Sequence, residues 1–302
     1  TTEIYTLSLH DALPICFNTL FQPALNSFIP ILFPLGRLVK INAILATSGQ
    51  IAWMMGPLFA GILLTVISLP NLFIADAGSF LLGIGLLLFI SQPKHPKQPE
   101  KHSHWDELKR GLSYLYGQKP IFWMIIITFI NNLFIMGPAI VGLPILVKIA
   151  LHGTASDFAF TEGCMAAGAL VGSLIVSKLN GRLSNGLIWA IGLVLDGVTY
   201  SFIYWAASVE MVMVMIFFHG IGIPLIMVSR TSIVQIHTPN KFHGRLFSVV
   251  HLGVVGTTAI SAGLVGIITS IISVKLLFFG IGCGAALCGF IGLAMPSLRN
   301  IK

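Results

Sequence analysis

From Ile41 to Ala75 the chain runs 35 residues without a charged side chain. A helix crossing the hydrocarbon layer needs about 20 mostly apolar residues, so this run is too long for one span. Pro70 and Asn71 break it into a helix near 41–68 and another near 70–91, the second carrying Asp76. Further apolar runs follow at 121–147 (with Pro138 and Pro144), 155–177 with Glu162, 185–207 with Asp196, 211–229, 246–273 and 276–295. The reading is an all-α, polytopic membrane bundle of eight spans. A membrane β-barrel is excluded, because these runs are continuous and do not alternate in ten-residue segments.

Composition agrees. Of 302 residues 56% are hydrophobic and 9% charged, with a mean hydropathy of +0.93, whereas a soluble domain carries about a quarter charged residues. Apolar surface on that scale must face something other than water. The 31 Gly and 15 Pro fit as well, since both are better tolerated in membrane helices.

Loop charges set an orientation. If 32–40 faces the cytoplasm, alternation also puts 91–119, 178–184, 230–245 and the C-terminus inside. Those segments hold 15 of the 17 basic residues, all but Lys148 and Lys275, as the positive-inside rule requires. The net charge of +7 is therefore a topology signal. It does not indicate nucleic acid, because no loop combines clustered bases with stacking aromatics.

Residues 92–119 read as a cytoplasmic linker, polar and proline-rich up to His104, then amphipathic over Trp105–Tyr116 as a short interfacial helix. His95, His102 and His104 lack the Cys or acidic partners of a metal site and read as a solvated loop. Residues 1–15, TTEIYTLSLHDALPI, show no basic segment before an apolar core and so no signal peptide. They resemble a translated sequencing-adapter tail and are left out of the fold argument, the native sequence being expected to start near Cys16.

Several short patterns recur at the span boundaries: Gln22-Pro-Ala24, Ile29-Pro30, Leu38-Val-Lys-Ile-Asn42-Ala43, Gln50-Ile-Ala, Gly56-Pro57-x-x-Ala60-Gly61 and Ala75-Asp76-Ala77-x-Ser79-Phe80. Gln235-x-x-x-Pro239 and Gly244-Arg245-Leu246-Phe247-Ser248 follow near the other end. Together they resemble the major facilitator superfamily, in the drug and metabolite exporter branch that includes macrolide and enterobactin exporters. The resemblance covers nearly everything after Cys16. It implies that the spans are helices five to twelve of a twelve-helix fold. Residues 16–91 would be what remains of a first bundle and 120–302 a complete second one. The family's Gly-x-x-x-Asp-Arg-x-Gly-Arg loop is absent. Its echo survives only between Gly172 and Arg182, with Ser177-Lys178 where Asp-Arg would stand.

Gly56 and Pro57 allow a kink. Gly61, Gly253, Gly256, Gly263 and Gly266 are small enough for close helix approach. Gly244-Arg245 is placed in a cytoplasmic loop, Arg245 either capping and pairing there or serving as an anchor. Asp196 carries the sharper hypothesis, with thirteen uncharged residues on each side. A charge at that depth costs several kcal/mol unless it is paired or wet. It is therefore either a proton-coupling carboxyl or a residue hydrogen-bonded to a neighbouring helix. Glu162 is a second coupling candidate, while Asp76 is shallow enough for a structural role. Asn131, Asn132, Gln50 and His251 fit interhelical hydrogen bonding. Imidazole is the side chain whose ordinary charge change falls near neutral pH, so His219 joins Asn131, Asn132 and Gln50 as a possible pathway residue.

No phosphate-binding loop, His-Glu-x-x-His or Gly-x-Ser-x-Gly occurs. Cys16, Cys164, Cys283 and Cys288 lack metal spacing. The expectation is a non-enzymatic secondary transporter of the bacterial cytoplasmic membrane, with no cofactor and no metal. The resemblance implies export of a small molecule against protons by alternating access, by a monomer in the bilayer. The alternatives are a sensor or assembly factor on the same fold, and a polytopic membrane enzyme.

Overall fold

A computed structural model describes residues 21–63, 66–89 and 104–302. The proposed tail at 1–15 and the histidines at 95 and 102 lie outside these residues. The described residues form helices and turns, with no strand beyond a single bridge between Asn180 and Leu183. A helix over 21–32 (α1) is followed by α2 (Leu38–Leu63), α3 (Leu69–Leu88), α4 (His104–Gly117) and α5 (Lys119–Gly137). After α6 (Leu143–Ile145) come α7 (Ala155–Leu179), α8 (Asn185–Phe202), α9 (Val209–His237), α10 (Asn240–Ile268), α11 (Val274–Ala294) and the short α12 (Pro296–Arg299).

Among the described residues six stretches are long and apolar enough to cross a membrane: Lys119–Ala150, Ser156–Leu179, Asn185–Trp205, Val209–His237, Asn240–Ile268 and Val274–Ala294. The other two expected spans are the separate helices α2 and α3. Pro70 falls in the first turn of α3, where its missing N–H is not needed. Gln50, Gly56, Pro57 and Gly61 lie in the helical backbone of α2, their side chains outside the described residues. The first long span stays continuous past two prolines because α6 is flanked by π-helical turns, Pro138–Gly142 and Leu146–Ala150. Wider turns re-pair the backbone where proline removes a donor. Thr154 and Asp157 form a capping box at the start of α7, and Ser184 and Ser273 cap α8 and α11.

The loop expected at 230–245 is almost entirely helix. Helix α9 runs on to His237 and α10 starts at Asn240, leaving only Thr238 and Pro239 between them. Gly244 and Arg245 are thus helical and not in a loop. A membrane helix needs apolar side chains only within the hydrocarbon, so it continues into water until a residue such as Pro239 ends it. The expected helix at 105–116 forms as α4 and docks on α10. The Tyr114 ring stacks on Phe242 at 4.5 Å, its hydroxyl donates to His237 O at 3.3 Å, and Arg245 packs on Gly111.

Two seams hold the bundle of α5 and α7–α11. Helices α7 and α9 meet so closely at Gly168, Gly172 and Gly220 that a Cβ there would strike the facing backbone. Gly197, Gly282 and Gly289 do the same between α8 and α11. Of the glycines expected at close approaches, Gly253 faces the Phe129 ring, whereas Gly256, Gly263 and Gly266 meet nothing within 4 Å among the described residues. Helix α2 joins the bundle through Val39 and Ala43, which pack with Val176, Ile188, Leu225 and Val228.

The basic segments gather at one end. Gly186 N–H donates to Ile301 O at 2.9 Å and Ser184 Oγ to Arg299 O. These contacts place the α7–α8 turn beside the C-terminus, while α4 covers the α9–α10 junction. This is the basic end of the bundle.

Candidate functional site

Three of the polar residues singled out inside spans converge on one point. Asp196 is the twelfth residue of α8, which puts it about 16 Å along the helix. It is 3% exposed. Asn131 on α5 donates its Nδ2–H to Asp196 Oδ2 at 3.0 Å. His219 on α9, 2% exposed, brings Nδ1 to 2.8 Å from Asp196 Oδ1. That is ion-pair distance, but the ring N–H is not aligned on the oxygen as a hydrogen bond. The three residues come from three helices, so the site exists only in the assembled bundle.

Tyr200 completes the cluster. It is fully buried, lies one turn beyond Asp196 on the same face of α8, and sets its ring 4.3 Å from the His219 imidazole. Its hydroxyl and Asn131 Oδ1 have no hydrogen-bond partner among the described residues. Glu162 is half-buried on α7. Three helices, α5, α8 and α9, therefore contribute to a single polar centre, with Asp196 and His219 at its core.

Other predicted residues fall elsewhere. Asn132, next to Asn131, turns away and donates to Val254 O, Thr257 Oγ1 and Thr258 Oγ1 at 2.8–3.0 Å. It stitches α5 to α10, helped by Ser261, whose hydroxyl donates to Leu133 O and accepts from Gly137 N–H. Asp76 is exposed on α3, and its carbonyl accepts from Ser79. Arg245 lies over the Phe242 ring at 5.6 Å, with Lys241 Nζ 5.2 Å from the same ring. His251 is part-exposed on α10. No group of three or more His, Cys, Asp or Glu placed to hold a metal ion occurs among the described residues.

Tyr200 escaped the sequence reading, although its i+4 spacing from Asp196 was visible. So did a second polar junction. Asn42 on α2 donates to Ser232 Oγ at 3.0 Å and to Gln235 Oε1 at 2.7 Å, both on α9. Gln235 Nε2 in turn donates to Asn26 O of α1 at 2.8 Å. Asn42, Ser232 and Gln235 are all buried. Asn42 and Gln235 stood in the quoted motifs, but nothing there paired them.

A bundle of long apolar helices with a carboxyl and an imidazole in contact inside it is consistent with a polytopic membrane transporter. The model of the Major Facilitator Superfamily matches residues 15–195, and the chain belongs to that family, which is one of transporters and not of enzymes. It is 24% identical over 307 aligned residues to the uncharacterized MFS-type transporter YfiS of Bacillus subtilis, covering 97% of this chain and 72% of the relative. It is 22% identical to macrolide efflux protein A of Enterococcus faecalis, covering 80% and 75% respectively. The same identity holds for macrolide efflux protein A of Streptococcus pyogenes, with 60% of that relative covered. A solved bacterial homologue of the iron transporter ferroportin, in an outward-facing state, superposes with a TM-score of 0.69 at 18% identity, covering 91% of this chain and 68% of that one. At that identity the likeness concerns the fold.

Proposed function

We propose that this chain is a secondary exporter of small drug-like molecules or metabolites, driven by proton entry, with Asp196 as the proton-carrying group and His219 as its partner. The observation that carries the reading is the buried Asp196–His219 contact at mid-span. A carboxylate there needs a counter-charge or a proton. Exchanging one for the other lets a single proton alter the contact between α8 and α9. Glu162, half-buried on the neighbouring helix, is the relay toward the opposite end. Asn131 orients the carboxylate, and Tyr200 shields the pair from lipid.

Coupling requires that the proton and the cargo favour different conformations. Residues 16–91 are read as part of one bundle, 92–119 as the linker and 120–302 as the second bundle, the two rocking about a cargo site near the midplane. The basic end and the C-terminus are assigned to the cytoplasm on the positive-inside rule. The protein acts as a monomer in the bacterial cytoplasmic membrane. Export is favoured by the two relatives named for macrolide efflux.

The test is the full-length transporter in proteoliposomes under an imposed proton gradient, with a labelled macrolide as first cargo. Asp196→Asn should keep binding and lose gradient-driven accumulation. Undiminished accumulation in that variant would remove Asp196 from the mechanism. Failure of the wild type to move any cargo in a panel would favour a sensor or assembly role instead.

A further inference from the structure

The seam between α8 and α11 carries a groove on its exposed side. The two helices run antiparallel, and their backbones touch where Gly197 faces Ala286 and Gly282 faces Ser201. Close approach of that kind leaves small side chains, Ser201, Cys283 and Ala286, along the bottom of the seam. Larger ones stand on both banks, Phe202 and Trp205 on α8 and Leu287 and Phe290 on α11, each more than half exposed. The result is a groove of about 340 Å³. At 100° per residue, Phe202 and Trp205 fall on the opposite face of α8 from Asp196 and Tyr200.

The length of the groove matches one half of a bilayer. At one end the Trp205 ring meets Phe279 at 5.6 Å. From Phe279 to Phe290 is about 16 Å along α11, against about 15 Å for half of the hydrocarbon layer. Gly289 packs on Val194, which sets Phe290 level with the middle of α8. The groove therefore starts at mid-span and ends with the span, at the turn Ile203–Trp205, opposite the basic end. A helix of a second copy would lie along both halves. A cargo pocket needs several placed polar groups. Here the Ser201 hydroxyl already donates to Gly197 O at 3.0 Å, and the other lining side chains are apolar apart from the Cys283 thiol and the Trp205 indole N–H.

The mouth has a different character. Tyr204, Trp205 and Phe279 form a ring cluster with centroids 5.2–5.6 Å apart, of the sort found at headgroup depth. Lys275, one turn before Phe279 on the same face of α11, is part-exposed and donates to Ala206 O at 2.7 Å. An ammonium has three donors, so two remain. Lys275 and Lys148 are the only Lys or Arg residues outside the basic segments. An apolar slot one leaflet long, with a cation at its mouth, fits a lipid tail below a phosphate. We propose that this groove binds one anionic phospholipid of the leaflet opposite the basic end, its acyl chain between α8 and α11 and its phosphate on Lys275. The site needs only that the chain spans a membrane and is independent of cargo and of the proton role of Asp196.

Native mass spectrometry of the full-length transporter in detergent tests it, with dipalmitoyl phosphatidylglycerol and dipalmitoyl phosphatidylcholine titrated in after delipidation. The wild type should hold one phosphatidylglycerol more tightly than any further lipid. Cys283→Trp fills the groove and should weaken that first site about tenfold or more for both lipids, while Cys283→Ala keeps it. Lys275→Gln should weaken phosphatidylglycerol about fivefold and phosphatidylcholine less, with recovery in Lys275→Arg. Absence of a distinct first lipid on the wild type would overturn the proposal, as would unchanged phosphatidylglycerol binding in Cys283→Trp or in Lys275→Gln. Wild-type dimers that hold no lipid and disappear in Cys283→Trp would assign the groove to a second copy and overturn it too. So would displacement of the lipid by a macrolide whose own binding Cys283→Trp abolishes. If the melting temperature shows that Cys283→Trp does not fold, Lys275→Gln with its Arg rescue decides alone.

Discussion

Asn42 and Gln235, 193 positions apart, share a 2.7 Å hydrogen bond that fastens α2 to α9 near the basic end. Both side chains are buried, and the same Gln235 reaches back to the carbonyl of Asn26. One glutamine thus ties α1 and α2 to α9.

Asn42→Ala removes the donor to Ser232 and Gln235 and leaves the buried Gln235 oxygen unsatisfied. The expected cost is about 1–3 kcal/mol, read as a lower melting temperature in detergent. Gln235→Ala should cost a similar amount. The double variant should be less destabilised than the sum, by at least about 0.5 kcal/mol. Full additivity would show that the two side chains do not depend on one another.

Removal of Asp196 leaves His219 buried without its carboxyl partner, and removal of His219 leaves the buried Asp196 with Asn131 alone. Asp196→Ala or His219→Ala alone should destabilise the protein by about 3–5 kcal/mol, and replacement of both by apolar residues of similar volume by much less. A chemical-denaturation cycle measures this. Equal and additive losses would mean that the pair is not energetically coupled.

Glycine substitutions separate the seams from the open faces. A methyl group at Gly168 or Gly197 would collide with the facing backbone of α9 or α11. The Ala variants should lose about 1–3 kcal/mol or more, seen as poor folded yield after extraction. Gly280→Ala on α11 meets nothing within 4 Å among the described residues and should be neutral or stabilising by up to about 1 kcal/mol.

The docking of α4 depends on Tyr114, whose ring stacks on Phe242. Burial raises its phenol above the ordinary value of 10.0, which keeps the hydroxyl a donor to His237 O. With the folded value raised, the contribution is complete below the unfolded value and fades as pH rises above it, beyond about 10. Tyr114→Ala should expose the 104–117 segment to limited proteolysis at neutral pH, and Tyr114→Phe should protect it nearly as well as the wild type.

How much of this was legible depends on which element is considered. Spans such as 155–177 and 276–295 were found within a few residues, because an apolar run of fixed length reports the solvent around a helix. The ends of α9 and α10 were misplaced, since hydropathy marks where hydrocarbon stops and not where hydrogen bonding stops. Asp196 stood out as a buried charge and His219 and Asn131 as polar residues in apolar helices.

The chain alone therefore determined that it lives in a membrane, where most of its helices cross, and which side chains are costly there. These follow from the energy of moving each residue out of water, which is a local property. Only the tertiary structure decided that Asp196 meets His219 and Asn131, and that Asn42 meets Gln235. Each of those pairings depends on helices far apart in sequence being brought to one point by the glycine seams at Gly168, Gly197 and Gly220. Local hydropathy reports a cost of burial but carries no record of the partner that offsets it.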